Sequence, residues 1–110
     1  MIVDLRSHDE RVRDGVIAGS VHVPRSVLEW RVDPDSGFPN PHVTDRSLEL
    51  ILLCNEGYSS SLAAASLREL GRTHVADLVG GIQAWRDAGL ETVAAPAPPP
   101  GLPGMGGPNG

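Results

Sequence analysis

Four short apolar segments stand out along the chain, each bounded by polar or turn-forming residues. They are "IVDL" (2–5), "SVHV" (20–23), "ELILLC" (49–54) and "HVADLV" (74–79). Runs of this length and make-up predict strands. The third is apolar without alternation from Leu50 to Leu53, as in a strand covered on both faces of a parallel sheet.

Helical patterning fills the spaces between and after these segments. It is strongest from Ser60 to Leu70, where Leu62, Ala63, Ser66, Leu67 and Leu70 fall within one stripe at helical spacing. Ser59 or Ser60 is the expected N-cap, and Gly71 is placed to end the helix. Shorter helices are expected over "RSVLEWR" (25–31) and "IQAWRDA" (82–88), with one or two turns over "DERVRD" (9–14). The three prolines and one glycine of "VDPDSGFPNPH" (32–42) predict a loop. Strands alternating with helices indicate an α/β domain with a short parallel sheet flanked by helices in three layers.

The pattern ends near residue 93. From Ala94 the chain reads "AAPAPPPGLPGMGGPNG", without periodicity or charge. Such composition predicts a disordered tail over 94–110 and a folded domain over 1–93. The formal net charge of −5, with no basic run, argues against a nucleic-acid partner. No stretch has the apolar length of a membrane span, and "MIVDLRSHDE" lacks the features of a signal peptide. One cysteine permits no intrachain disulfide, and a free thiol fits a reducing compartment, so a cytoplasmic location is expected.

That cysteine, Cys54, directly follows the buried third strand, at the sheet edge where ligands of open α/β folds bind. Asn55 to Ser59 must turn the chain into a helix within about five positions, with Gly57 supplying the freedom for it. Such a turn gathers backbone N–H groups at the positive end of a helix, where a thiolate, a persulfide or an oxyanion is stabilised. Cys54 is therefore the candidate nucleophile. His8, His22, His42 and His74 are scattered and form no local motif, which argues against a cysteine protease; one Cys with dispersed His gives no zinc-ligand spacing. Cys-based phosphatases need an arginine at the sixth position after the cysteine, and here that position is Ser60. No metal and no cofactor are implied.

On these residues the chain resembles the rhodanese-like, single-domain sulfurtransferases, from Ile2 to about Leu90. "IVDLRS" is similar to the family's strand with an Asp-x-Arg pair, here Asp4 and Arg6. "GVIAGSVHVP" (15–24) resembles the segment Gly-His-Ile-x-Gly-Ala ending in Pro, with Val16 in place of the usual His. "CNEGYSSSLAAASLRELG" resembles the active-site loop and following helix, and "DLVGGIQAWRDAGL" (77–90) the closing strand, Gly-Gly turn and Trp-bearing helix. The resemblance implies that Cys54 takes a sulfane sulfur from a donor, becomes a persulfide and passes the sulfur to cyanide or a thiol. A sulfur-relay protein is a further partner it allows. The backbone of Asn55, Glu56, Gly57, Tyr58, Ser59 and Ser60 would cradle the outer sulfur. Asp4 and Arg6 are expected to serve structure, and Trp30 and Trp85 packing. Tyr58 is either a contact at the loop tip or simply exposed there. A non-catalytic binding module on the same fold is the alternative.

Two departures carry expectations of their own. The family commonly has an Arg five positions after the Cys, and here that position is Ser59. With Glu56 the loop's side chains are net negative, which predicts weak use of thiosulfate and favours a persulfide or polysulfide donor, unless Arg25 or Arg31 reaches the site. The family's usual N-terminal edge strand and helix are also missing before Ile2. A second subunit covering that sheet edge would make the protein a dimer.

Overall fold

The computed structural model describes residues 1–109. Its strands are β1 (Ile2–Asp4), β2 (Val21–His22), β3 (Leu50–Leu53) and β4 (Val75–Asp77). Its helices are α1 (His8–Asp14), α2 (Leu28–Val32, entered through a 3₁₀ turn at Arg25–Val27), α3 (Tyr58–Glu69) and α4 (Gly81–Asp87). All strand pairs are parallel, in the order β2-β1-β3-β4. Val3 lies between Val21 and Leu52, and Ile51 between Ile2 and Ala76.

The side chains of β3 divide the core. Leu50 and Leu52 join Val3, Val21, Leu28, Val32, Ala63, Ala64 and Leu67 in one apolar cluster, which includes α2 and α3. Leu53 packs with Ile17 and Ile82 in a second cluster with Ile2, Leu78 and Trp85, beneath α4. Helices thus cover both faces of the sheet. That is why β3 carries no alternation in the sequence.

Several local expectations change. The buried face of α3 is Ser60, Ala63, Ala64 and Leu67, while Leu62 and Leu70 are exposed. The stripe is rotated because it begins on a polar residue, Ser60, held at the sheet edge by Cys54. The N-cap of α3 is Gly57, at φ 92°, not Ser59 or Ser60, which lie within the first turn. Trp30 is exposed and packs against Phe38, with ring centroids 5.7 Å apart. The helix at α1 carries a capping box: Ser7 Oγ accepts from Glu10 N, and Glu10 Oε1 accepts from Ser7 N.

Residues 94–109 form no helix or strand, but they run against the domain rather than away from it. Asn40 Nδ2 donates to Gly104 O (2.7 Å) and Gly106 O (2.9 Å), and Arg31 Nε donates to Pro103 O (2.8 Å). Asn40 and Arg31 are themselves buried. Buried donors require acceptors, and a chain of Pro and Gly supplies carbonyls whatever its side chains. Gly110, the last residue of the tail, lies outside the described residues. Among those residues no helix is long and apolar enough to cross a membrane.

The end of β1 is fixed by charge. Asp4, fully buried, accepts from Arg6 Nε (3.0 Å) and Nη2 (2.9 Å) and from Arg11 Nε (3.1 Å). Arg6 Nη2 also reaches Gly15 O, so the Asp-x-Arg pair, with Arg11, clamps β1 to the last turn and C-cap of α1. Beside it, His22 Nε2 lies 2.7 Å from Arg6 O. Burial holds the His22 imidazole below its ordinary value near 6.5, against the opposing pull of that carbonyl. The unfolded chain then takes up this proton at higher pH than the folded one. Stability from His22 is complete above about 6.5 and is lost as pH falls through and below it, by at most about 1.4 kcal/mol per pH unit. Melting temperature followed from pH 7.5 to 5 is expected to drop, with a smaller drop in His22→Gln.

Candidate active site

Strand order reverses between β1 and β3: the chain leaves β1 toward β2 on one side and resumes on the other. In open parallel sheets the carboxyl ends of the strands part at such a point and leave a crevice. Leu5 and Arg6 follow β1 there, and Cys54 follows β3. An open cleft of about 370 Å³ lies above them, lined by Leu5, Arg6, Glu10, Arg25, Cys54, Asn55, Glu56, Tyr58 and Ser59.

Cys54 is a free thiol, 6% exposed, at the cleft floor. Its Sγ accepts hydrogen bonds from Gly57 N at 3.0 Å and Ser60 N at 3.4 Å, and lies 3.3 Å from Ser60 Oγ. The turn that achieves this is shorter than sequence spacing suggests: Cys54 to Gly57, with α3 starting at Tyr58.

The turn is shaped from below by the Gly80–Gly81 pair. The first amides of α4 take the loop's carbonyls: Ile82 N donates to Cys54 O (2.9 Å) and Gln83 N to Asn55 O (3.2 Å). In a trans peptide the N–H points opposite to its C=O. The N–H groups of Asn55 and Glu56 are therefore turned away from α4. Close approach is possible only without side chains. A Cβ on Gly81 (φ +61°) would meet Cys54 O and the Asn55 carbonyl, and one on Gly57 would lie 2.7 Å from Gly80 N.

Of the six residues expected to cradle the outer sulfur, Gly57 and Ser60 hydrogen-bond to Sγ itself. Ser60 is fully buried, whereas Glu56, Tyr58 and Ser59 are exposed, with Tyr58 at 77%. The Asn55 side chain is taken by the scaffold, its Oδ1 accepting from Gln83 Nε2 (2.9 Å) and Arg13 Nη2 (3.4 Å). Gln83 Nε2 also donates to Asp14, which accepts from Arg13 and Arg86 and is held below the usual carboxylate range by its bond to Arg13. This network ties the loop to α1 and α4 and has no signature in the sequence, because its members lie far apart along the chain. Of the two arginines proposed to reach the site, Arg25 lines the cleft. Arg31 does not; its guanidinium donates to Phe38 O and Pro103 O. Among the described residues, no group of three or more His, Cys, Asp or Glu side chains is placed to hold a metal ion.

Known proteins share this architecture. A protein of unknown function from Rhodopseudomonas palustris, described as a possible tyrosine phosphatase, is 38% identical with a TM-score of 0.79, over 84% of this chain and 69% of its own. A rhodanese-related protein from Thermoplasma volcanium is 27% identical over 86% of this chain and 84% of its own, with a TM-score of 0.68. Thiosulfate sulfurtransferase from Pseudomonas aeruginosa matches at 26% identity and a TM-score of 0.69, over 84% of this chain but only 16% of its own. No curated protein sequence matches the chain. The model of the rhodanese-like domain family matches residues 1–88, from β1 to the end of α4, taking in the clamp at Asp4, the Cys54 turn and the glycine pair beneath it. The chain belongs to the rhodanese-like domain family.

Proposed function

We propose that the protein is a sulfurtransferase that carries a sulfane sulfur as a persulfide on Cys54. The observation that carries this reading is the Cys54 Sγ at the switch-point crevice, facing two backbone N–H donors, Gly57 and Ser60, and the Ser60 hydroxyl. In the first step the Cys54 thiolate attacks the outer sulfur of thiosulfate, or of a persulfide or polysulfide. A new S–S bond forms, the donor's S–S bond breaks, and sulfite or a thiolate leaves with the electron pair. In the second step cyanide or a thiolate, free or on a relay protein, attacks the outer sulfur of the Cys54 persulfide. Thiocyanate or a new persulfide departs, and the Cys54 thiolate returns. Charge and electrons balance without a further reductant, and ping-pong kinetics follow.

The Gly57 and Ser60 amides face the Sγ thiolate before the first step; after it the charge lies on the outer sulfur, one S–S bond further out, where other N–H groups of the turn would stabilise it. A phosphatase reading, suggested by the Rhodopseudomonas palustris relative, lacks its clamp: Ser60, not Arg, follows Cys54 by six positions, and it is buried against Sγ. A binding module without turnover gives no role to a thiol aligned on backbone donors.

The test is the intact mass of the purified protein after incubation with thiosulfate and, separately, with a low-molecular-weight persulfide. A gain of one sulfur atom that cyanide removes is expected. No gain from either donor, with phosphate release from an aryl phosphate, would overturn the reading. A second expectation concerns the turn. Gly81→Ala adds a Cβ against Cys54 O at positive φ, costing about 1–2 kcal/mol in backbone strain alone. By displacing the donors it should slow sulfur transfer about a hundredfold. Gly19→Ala, at φ +81° with nothing within 4 Å of its Cβ, should carry the strain without the loss of rate.

A further inference from the structure

Residues 103–109 lie in a groove whose donors are already held by the domain. Asn40 is fixed at two points: its N–H donates to Arg31 O (2.9 Å) and its Oδ1 accepts from His42 N (3.0 Å). That leaves the two hydrogens of its Nδ2 for the tail, where they meet Gly104 O and Gly106 O. Arg31 is divided in the same way. Its Nη1 donates to Phe38 O (2.7 Å) within the domain, and its Nε donates to Pro103 O in the tail. At the far end, Asn109 N donates to Ser20 O (2.8 Å), Gly19 N donates to Asn109 O, and Asn109 Nδ2 lies 3.2 Å from Ser20 Oγ. Side chains fixed at one end lose little freedom on taking an acceptor at the other, which favours binding.

Shape adds selection to these backbone contacts. Gly104 is buried at φ +79°, a conformation that favours glycine, and a Cβ there would lie 3.2 Å from Arg31 Cγ and from Val27 Cγ2. A Cβ on Gly107 would lie 3.1 Å from His42 Nε2. Gly106 has room by contrast, with Pro99 Cγ the nearest atom to its Cβ at 3.5 Å. We propose that this groove, walled by Val27, Arg31, Asn40 and His42, is a recognition site for an extended, uncharged Pro/Gly segment, and that residues 103–109 (PGMGGPN) of the same chain are its occupant. The site takes backbone carbonyls on fixed side-chain donors and requires glycine where the segment passes closest. A cavity of about 300 Å³ beneath the tail, lined in part by Arg11, His22 and Asn109, shares no lining residue with the cleft above Cys54 among the described residues. Seating of the segment is therefore independent of the sulfur chemistry.

Amide hydrogen exchange followed by NMR on the full chain tests the site. Gly19 is exposed and its N–H is held by Asn109 O, so its exchange reports whether the segment is in place. Leu5 N, bonded to Leu53 O, reports the domain itself. Gly104→Val is expected to speed exchange at Gly19 about tenfold or more, as for the loss of one or two hydrogen bonds. Exchange at Leu5 and sulfur loading on Cys54 should stay as in the wild type, and Gly106→Ala should leave Gly19 slow. Equal exchange at Gly19 in the wild type and Gly104→Val, fast in both if the tail is disordered as its composition predicts, would overturn the site. An equal rise at Leu5 would also overturn it, by making the segment part of the cooperative fold and not a ligand of it.

A synthetic peptide supplies the second arm. A peptide of residues 94–109, added to the Gly104→Val protein, should restore slow exchange at Gly19, and one of the same composition in scrambled order should not. The wild-type chain should not take up the peptide at micromolar concentration, because a tethered segment stands at about a millimolar effective concentration. No rescue by the peptide at about a millimolar, or equal rescue by the scrambled one, would overturn recognition. Sedimentation of the wild type identifies whose segment is seated. A monomer is expected; a dimer whose Gly19 protection falls on dilution would give the groove to a second copy and overturn the occupant proposed here.

Discussion

The Cys54→Ser protein is expected to fold as the wild type does and to acquire no cyanide-removable sulfur from any donor. Serine is close in size, and Cys54 is 6% exposed in a turn whose backbone is also held by Ile82 N and Gln83 N at the carbonyls of Cys54 and Asn55. Its hydroxyl oxygen can accept from Gly57 N and Ser60 N as the sulfur does. The turn should therefore persist, and the melting temperature should change by no more than a few degrees. The chemistry should not persist. A serine hydroxyl is not ionised near neutral pH, and with no other cysteine in the chain nothing can carry a persulfide. The loss of transfer should be complete within detection, and mass spectrometry beside a thermal melt checks both halves. Residual transfer in a folded variant would place the sulfur elsewhere and sink Cys54 as carrier.

Much of this was legible in the sequence because it rests on local pattern. Leu50 to Leu53 announced a strand covered on both faces, and both apolar clusters draw on it. Cys54 at its end, followed within a few residues by Gly57 and a serine-rich helix start, was enough to place the candidate nucleophile at the carboxyl edge of the sheet. The face of α3 was less legible. Periodicity favoured Leu62 and Leu70, but the helix is rotated by Ser60, whose burial is determined by a contact to Cys54 rather than by hydropathy. The supports of the turn were hidden for another reason. Gln83, Arg13 and Asp14 meet Asn55 only after α1 and α4 have packed beside β3, and nothing local marks them. Arg25 was recognisable as a cation able to reach the site; its bonds to Glu29 were not.

Replacing Asp4 by asparagine is expected to be the most destabilising single change near the site. The side chain keeps its shape but loses its charge, and two guanidiniums almost fully out of solvent then face each other without a counterion. Breaking a buried ion cluster by removing one partner costs about 3–5 kcal/mol. Against a total stability of about 5–15 kcal/mol, that is a large fraction. For a domain of this size it corresponds to a melting temperature lower by on the order of 15 °C or more. Burial already pulls the Arg11 guanidinium below its ordinary value, with Asp4 the main opposing influence, so the cost falls on the cations once Asp4 is neutral. A surface pair shows the contrast: Arg13, 58% exposed in its side chain, is screened by solvent from Asp14, and its loss should change stability little. If the penalty comes from unpaired charge and not from lost shape, making the whole cluster apolar should recover much of it. Asp4→Leu combined with Arg6→Met and Arg11→Met is then expected to be more stable than Asp4→Asn alone, in chemical denaturation as in thermal melts. A triple variant no more stable than Asp4→Asn would show instead that the geometry of the clamp, joining β1 to Gly15 through Arg6, outweighs its electrostatics.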